Sequence, residues 1–272
     1  MIDALERQTI RGVTADLAVY LQGPRDGTPV IMTHSILSSS SMWDEQAALL
    51  AEKGFRVIRF DTPGHGNSAV PAATFTMDEL AADTVAVLEA LGIRSAHYVG
   101  LSLGGMSGFG LGVLHAGSVL SLVLCDARAD APPEVALPWN DRIALAEQHG
   151  SCAPLADPTI ARWFGESFLK KHPDIAERFR SIARNTSVQG FVCNALAIQS
   201  LDYLGDVGNI GVPTTLIVGS NDGVLPDAMR DIQARITAST LEVIPDAGHL
   251  PNIDQPEAFN AALMRHFEGL AV

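Results

Sequence analysis

Ser102 stands in Gly100-Leu101-Ser102-Leu103-Gly104, with a glycine two residues to either side. That spacing suits a sharp strand-to-helix turn, in which a side chain at either glycine would collide with the turn itself. Such a turn lifts a serine hydroxyl clear of its neighbours, where it can attack a carbonyl carbon. The pattern alone is weak, because chance produces it in about one chain in ten of this length. Its placement carries more weight. The apolar run 96–101 before it reads as a strand, and a helical pattern follows it. A helix N-terminus behind Ser102 favours developing negative charge. The bland reading, a glycine-rich structural turn, requires none of that placement.

A serine hydroxyl becomes a strong nucleophile only when a base takes its proton. For a nucleophile after a mid-chain strand, the acid and then the base follow later in the chain. Of eight histidines, only His249 and His266 come late enough. His266 falls on a terminal amphipathic helix and is expected at the surface or half-buried. His249 lies in Asp246-Ala247-Gly248-His249, a loop after the strand pattern 240–245, and is the candidate base. Asp222, in the loop after the run 214–219, is the candidate acid. Its role would be to accept the His249 Nδ1–H and stabilise the imidazolium. Asp126, ending the run 121–126, is the alternative acid; Asp227 and Asp246 read as solvated charges.

Acyl transfer also needs two donors aimed at the oxyanion. The Leu103 N–H, directly after the nucleophile, is one candidate. The other comes from the loop His34-Ser35-Ile36-Leu37, where the Ile36 N–H is best placed. The serines 38–41 read as a helix entry with Trp43 packed beneath. His34 and His65 read as structural.

These residues must be held by a scaffold, and the pattern for one is present. Runs 30–34, 56–61, 96–101, 121–126, 214–219 and 240–245 are short and mostly apolar, as central parallel strands are when covered on both faces. Residues 13–21 alternate apolar and polar and are expected to form an antiparallel edge strand. Helical patterns occupy 41–53, 226–236 and 255–267, and Thr76 to Glu79 forms a capping box that starts another helix, stopped by Gly92. Strand–helix alternation with short loops predicts an α/β chain with a doubly wound, mostly parallel sheet. Residues 129–208 break the rhythm with proline-punctuated helical patterns. A crossover needs only about a dozen residues, so this stretch reads as a helical cap inserted after the sixth strand, or else as a stabilising layer. The expected organisation is core 1–128, cap 129–208 and core 209–272.

The chain has 272 residues, 47% of them hydrophobic, which is ample for a large core. Its formal net charge of -13 repels phosphate backbones and makes nucleic acid a poor partner. Three cysteines, Cys125, Cys152 and Cys193, show no metal-ligand spacing, so no metal is expected and a reduced, cytoplasmic setting fits. Residues 1–11 lack an apolar leader, and no run is long enough for a membrane span. A homodimer is an open expectation.

With these residues in hand, the chain resembles the 3-oxoadipate enol-lactonases, which have the α/β-hydrolase fold. The resemblance extends through Ser41-Met42-Trp43-Asp44, Phe60-Asp61-Thr62, Gly64-His65-Gly66, Gly100 to Met106, Leu122 to Cys125, Arg162-Trp163-Phe164 and Gln255 to Ala262. It implies a cofactor-independent serine hydrolase acting on a small lactone or ester, in catabolism of aromatic compounds. Departures concern the substrate. Those lactonases read Asn-Ser-Leu-Gly where this chain has His34 to Leu37. They tend to carry Arg at Pro63 and have Asn at Asp126, and residues 111–119 also diverge. A substrate carboxylate would need a cation; Arg142, after Trp139, is the first choice, with Arg128 and Arg162 behind it. Trp139 either closes the pocket or packs the cap.

Two other functions stay open. One is different chemistry on the same residues: cofactor-free perhydrolysis, acyl transfer or C–C bond hydrolysis. The other is a ligand receptor that keeps the fold without catalysis. A fluorophosphonate separates catalyst from receptor. Covalent labelling is expected in the wild type and absent in Ser102→Ala, as read by intact-protein mass spectrometry; an unlabelled wild type supports the receptor.

Overall fold

The computed structural model describes residues 5–270. The first four residues of the segment read as lacking a leader therefore lie outside the described residues. No helix among those described is long and apolar enough to cross a membrane.

Eight strands form one sheet: β1 (Glu6–Arg11), β2 (Asp16–Gln22), β3 (Pro29–Thr33), β4 (Arg56–Phe60), β5 (Ala96–Leu101), β6 (Val119–Cys125), β7 (Thr214–Gly219) and β8 (Ser239–Ile244). Their spatial order is β1-β2-β4-β3-β5-β6-β7-β8. β1, β2 and β4 pair antiparallel, and every later pairing is parallel. The order reverses at β3–β5, and open α/β sheets bind ligands outside the strand ends at such a point. Helices α1 (Asp44–Glu52), α2 (Met77–Ala90) and α3 (Leu103–Leu114) lie in the connections β3–β4, β4–β5 and β5–β6, and α2 starts in the expected Thr76–Glu79 capping box. Between β6 and β7 run α4 (Pro133–Ala136), α5 (Pro138–His149), α6 (Ala153–Lys171), α7 (Pro173–Asn185) and α8 (Val188–Gln199). Helices α9 (Leu225–Gln233), α10 (Pro251–Asp254) and α11 (Pro256–Gly269) complete the chain.

Two expectations need correction. The alternating stretch 13–21 is not the sheet's edge: β1 pairs outside β2, in register from Glu6 with Leu21 to Arg11 with Asp16. β1 buries only Ile10 of its six residues, so its sequence carries almost no apolar alternation. The start of the alternating stretch is also not strand. The Val13 and Thr14 N–H groups donate to the buried Asp83 carboxylate of α2, at 2.7 and 3.0 Å, and Gly12 closes a turn onto Ala15. A carboxylate from a distant helix thus replaces the ladder partners those amides would otherwise need.

The central helix α3 lies hard against the sheet. A Cβ on Gly108 would come within 2.4 Å of a Leu124 methyl, so its glycines permit an approach that bulkier residues would block. The helices after β6 are tied to the core by Arg178 of α7. It donates to the Ser41 carbonyl and pairs with Asp44 at 3.0 Å, while the buried Arg59 of β4 takes the other Asp44 oxygen at 2.6 Å.

His266 is the second correction. It is buried on α11, with Nε2 2.7 Å from Ser121 Oγ and Nδ1 2.8 Å from Thr215 Oγ1. Ser121 in turn contacts His97 Nδ1 at 2.7 Å. Hydroxyls of β6 and β7 satisfy the ring, so an apparently amphipathic position becomes an interior one. Burial, with His97 alongside, pulls the His266 pKa down from 6.5 to about 4. The unfolded chain therefore takes up this proton first as pH falls, and stability is lost between pH 6.5 and 4. Urea unfolding at pH 7 and pH 5 should show a decline that is smaller in His266→Gln by roughly 2 kcal/mol. An equal decline in both proteins refutes this.

Candidate active site

The elbow is built as its sequence demands. Ser102 directly follows β5, caps α3 and has φ of +56°, a left-handed value costly for a residue with a Cβ. Its N–H donates to the Cys125 carbonyl of β6 at 2.9 Å. A Cβ on Gly100 would lie 2.3 Å from the Gly104 carbonyl oxygen, and one on Gly104 would lie 2.5 Å from that of Thr33. The Tyr98 hydroxyl, beneath the turn, donates to the Gly104 carbonyl at 2.7 Å and contacts Thr33 Oγ1 and Ser107 Oγ.

His249 and Asp222 meet from two different strand ends. The His249 Nδ1–H donates to Asp222 Oδ2 at 2.5 Å, and both side chains are buried. Nε2 is thereby left as the free acceptor, as a base requires. It has no hydrogen-bond partner among the described residues, Ser102 included. Both Ser102 and His249 line one cavity of about 570 Å³. The candidate base and nucleophile thus share a chamber without a closed hydrogen bond, a looseness common before substrate arrives.

Burial lowers the His249 pKa below its ordinary 6.5, opposed by Asp222 and assisted by Arg162. Burial would raise that of Asp222, but the His249 contact and Arg162 hold it low. The pair therefore rests as neutral imidazole and carboxylate.

Sequence reasoning missed what positions His249. Helix α6 breaks at Gly165, whose φ is +72°. That kink frees the Trp163 carbonyl from the helix ladder, and it accepts the His249 N–H at 2.8 Å. The Trp163 ring lies over the imidazole, 6.3 Å between centroids and tilted 26°. A glycine two residues after an aromatic was the available signal, but nothing in it names the partner.

The two oxyanion candidates come from different segments of the chain. Leu103 opens α3, and Ile36 lines the cavity. Among the described residues neither N–H has a protein acceptor. The Ile36 loop is braced by two buried histidines. The Leu37 N–H, in a residue with φ of +60°, donates to His65 Nε2 at 3.1 Å, and the Thr62 N–H donates to His34 Nε2 at 2.9 Å. Burial keeps both rings neutral, with the His65 pKa at about 3, so both can accept. Trp43 sits under this loop, its indole N–H on the Thr33 carbonyl at 3.0 Å.

Residues 28–256 match the family described as alpha/beta hydrolase fold. The chain belongs to that family. It is 33% identical over 244 residues to 3-oxoadipate enol-lactonase 1 of Acinetobacter baylyi, covering 89% of this chain and 90% of the relative. It is 29% identical over 261 residues to the non-heme chloroperoxidase of Burkholderia pyrrocinia, covering 89% and 92%. The crystal structure of the enol-lactonase from Burkholderia xenovorans superposes with a TM-score of 0.88 at 28% identity, over 97% of this chain and all of that one. The expectation of an enzyme with hydrolase chemistry stands with membership of the alpha/beta hydrolase fold family, as does the resemblance to the enol-lactonases.

Three cap candidates also line the cavity: Trp139, Arg142 and Arg162. The Arg142 guanidinium lies 4.6 Å from the Trp139 ring centre, and no carboxylate pairs with it among the described residues. Arg162 makes one long contact, 3.6 Å, to Asp222 Oδ1. Arg128 borders the cavity but is paired with Asp130 at 3.0 Å. Asp227 and Asp246 stand away in solvent, as expected. Asp126 lies beside Asp222 rather than on the His249 ring nitrogen that Asp222 occupies.

With imidazole as the active form, kcat/KM for p-nitrophenyl acetate should stay flat down through pH 6.5 and fall below it. An inflection well above 6.5 would contradict the burial argument. Asp222→Asn should lower kcat by about four orders of magnitude, against a far smaller loss in Asp126→Asn.

Proposed function

We propose that this protein hydrolyses a small, carboxylate-bearing lactone or ester through an acyl-enzyme on Ser102. The observation that carries the reading is the pairing of two guanidiniums with the candidate nucleophile. Arg142 and Arg162 border one cavity with Ser102 and His249. Burial pulls the Arg142 pKa down, and the neighbouring Arg162 charge adds to it. Arginine stays charged regardless. Holding two such groups together without a bridging carboxylate is unfavourable unless an anionic ligand supplies one. Both enol-lactonase relatives support the same substrate class.

In this reading Ser102 Oγ attacks the lactone carbonyl while His249 Nε2 takes its proton. The Ile36 and Leu103 N–H groups hold the oxyanion. The ring C–O bond breaks, and His249 returns the proton to the leaving oxygen. Water then attacks the acyl-enzyme, giving its proton to His249, and Ser102 departs with that proton. The net change is addition of one water across the acyl C–O bond. An overall charge of -13 repels such a substrate at long range, so the local cations are what draw it in.

A second reading, perhydrolysis on the same residues, is supported by the chloroperoxidase relative. It would show as peroxide-dependent halogenation in the presence of acetate. To separate the two, we would measure turnover of 3-oxoadipate enol-lactone beside p-nitrophenyl acetate, with Ser102→Ala as control. The lactone should be favoured by orders of magnitude. Arg142→Gln should raise KM for the anionic lactone by about tenfold to a hundredfold and leave the neutral ester almost unchanged. Equal losses on both substrates would count against a carboxylate site.

A further inference from the structure

Asp126 has its own place in the structure. It directly follows β6, is fully buried and has a backbone φ of +45°. Its N–H donates to the Ile217 carbonyl, and its Oδ1 accepts the Gly219 N–H, both at 2.9 Å. Both bonds run to β7, the strand that delivers Asp222 three residues past its end. Asp126 Oδ2 is buried and finds no donor N–H or hydroxyl among the described residues. One oxygen from each of Asp126 and Asp222 and one His249 ring nitrogen lie within 4.8 Å of one another. The Asp126 and Asp222 carboxyl groups are thus close neighbours in a buried site.

Two ionised carboxylates cannot bond to each other, because each only accepts. In that state Oδ2 would be a buried acceptor facing a like charge. A single proton turns the same contact into an O–H···O⁻ bond, which is among the stronger hydrogen bonds in proteins. We propose that Asp126 is a positioning residue: it remains protonated and donates to Asp222, steadying the oxygen that receives the His249 Nδ1–H. The inference rests on the reading of Ser102, His249 and Asp222 as the catalytic set.

The surrounding charges agree. Around Asp126 lie Asp222 and His249, the Asp254 carboxyl, the adjacent Cys125 thiol, and Arg162, which is half exposed and reaches Asp222 at 3.6 Å. A second buried anion there would face one partly solvated guanidinium and a neutral imidazole. Burial, followed by the Asp222 charge, holds the Asp126 proton well above the usual carboxylate range. Asp254 is also pushed up, to about 6, mainly by burial. Two carboxyls sharing a dry site cannot both ionise cheaply.

The test is the rate of fluorophosphonate labelling across pH in wild type, Asp126→Ala, Asp126→Asn and Asp222→Asn. Labelling reads the Ser102–His249 pair without needing the natural substrate. Asp126→Ala removes the donor and should slow labelling by about tenfold or more. Asp126→Asn supplies an N–H in place of the O–H and should restore most of that rate. Its acid limb should match the wild type, because no charge has been removed beside His249. The infrared difference spectrum of wild type minus Asp126→Asn should contain the C=O stretch of a protonated carboxylic acid. An acid limb displaced to lower pH in Asp126→Asn, or a difference band of an ionised carboxylate, means that Asp126 is charged and overturns the proposal. So does Asp126→Ala labelling at the wild-type rate. Asp222→Asn labelling at the wild-type rate would instead remove the catalytic reading beneath it.

Discussion

The left-handed backbone of Ser102 is the constraint around which this molecule is arranged. A φ of +56° at a residue with a Cβ is unfavourable by about 1–3 kcal/mol and persists only if the surroundings over-determine it. They do so from three directions. β6 takes the Ser102 N–H, Tyr98 braces the Gly104 carbonyl from below, and α3 begins immediately behind. The two flanking glycines follow from the same crowding, since any Cβ there would meet a backbone oxygen. The strain is useful: it sets the hydroxyl just beyond the end of a central strand, in a chamber where a candidate base from another strand can face it.

The second organising principle is burial of groups that must stay neutral. His34, His65, His249 and His266 all lie inside the protein with lowered pKa values. For His34 and His65 this preserves an acceptor nitrogen for a backbone N–H, and so holds the Ile36 loop. For His249 it preserves the lone pair that proton transfer needs. For His266 it serves packing alone. One physical effect, desolvation of the imidazolium, thus has three uses, decided by what each ring touches. Around the cavity the charges are opposed rather than summed. Arg142 and Arg162 line the cavity with Ser102 while carboxyls gather beside His249. An anionic ligand would be drawn to the first group and kept from the second.

Much of this could be read from residue order alone. The elbow, the capping box at Thr76 and the parallel strand runs are local patterns with local causes. Each depends on residues within a few positions of one another. The failures lie where a distant group intervenes. β1 was missed because only Ile10 of it is buried, and the strand's partner rather than its own pattern defines it. The turn at Val13 and Thr14 was missed because its acceptor, Asp83, lies about seventy residues away. His266, expected at the surface or half-buried, lies inside because the hydroxyls that satisfy it come from β6 and β7.

By itself, the sequence determined which side chains are candidates for catalysis and the local turns that present them. Sterics at Gly100 and Gly104, capping at Thr76 and apolar runs at the strands need no knowledge of the rest of the fold. Only the tertiary structure decided which groups meet. Asp222 rather than Asp126 takes the His249 Nδ1–H. The kink at Gly165 frees the Trp163 carbonyl for the His249 loop, and Arg142 borders the cavity that Ser102 lines. The two contacts of His249 join residues separated by tens of positions. Their geometry follows from the stacking of sheet and helices, and residue order does not encode that directly.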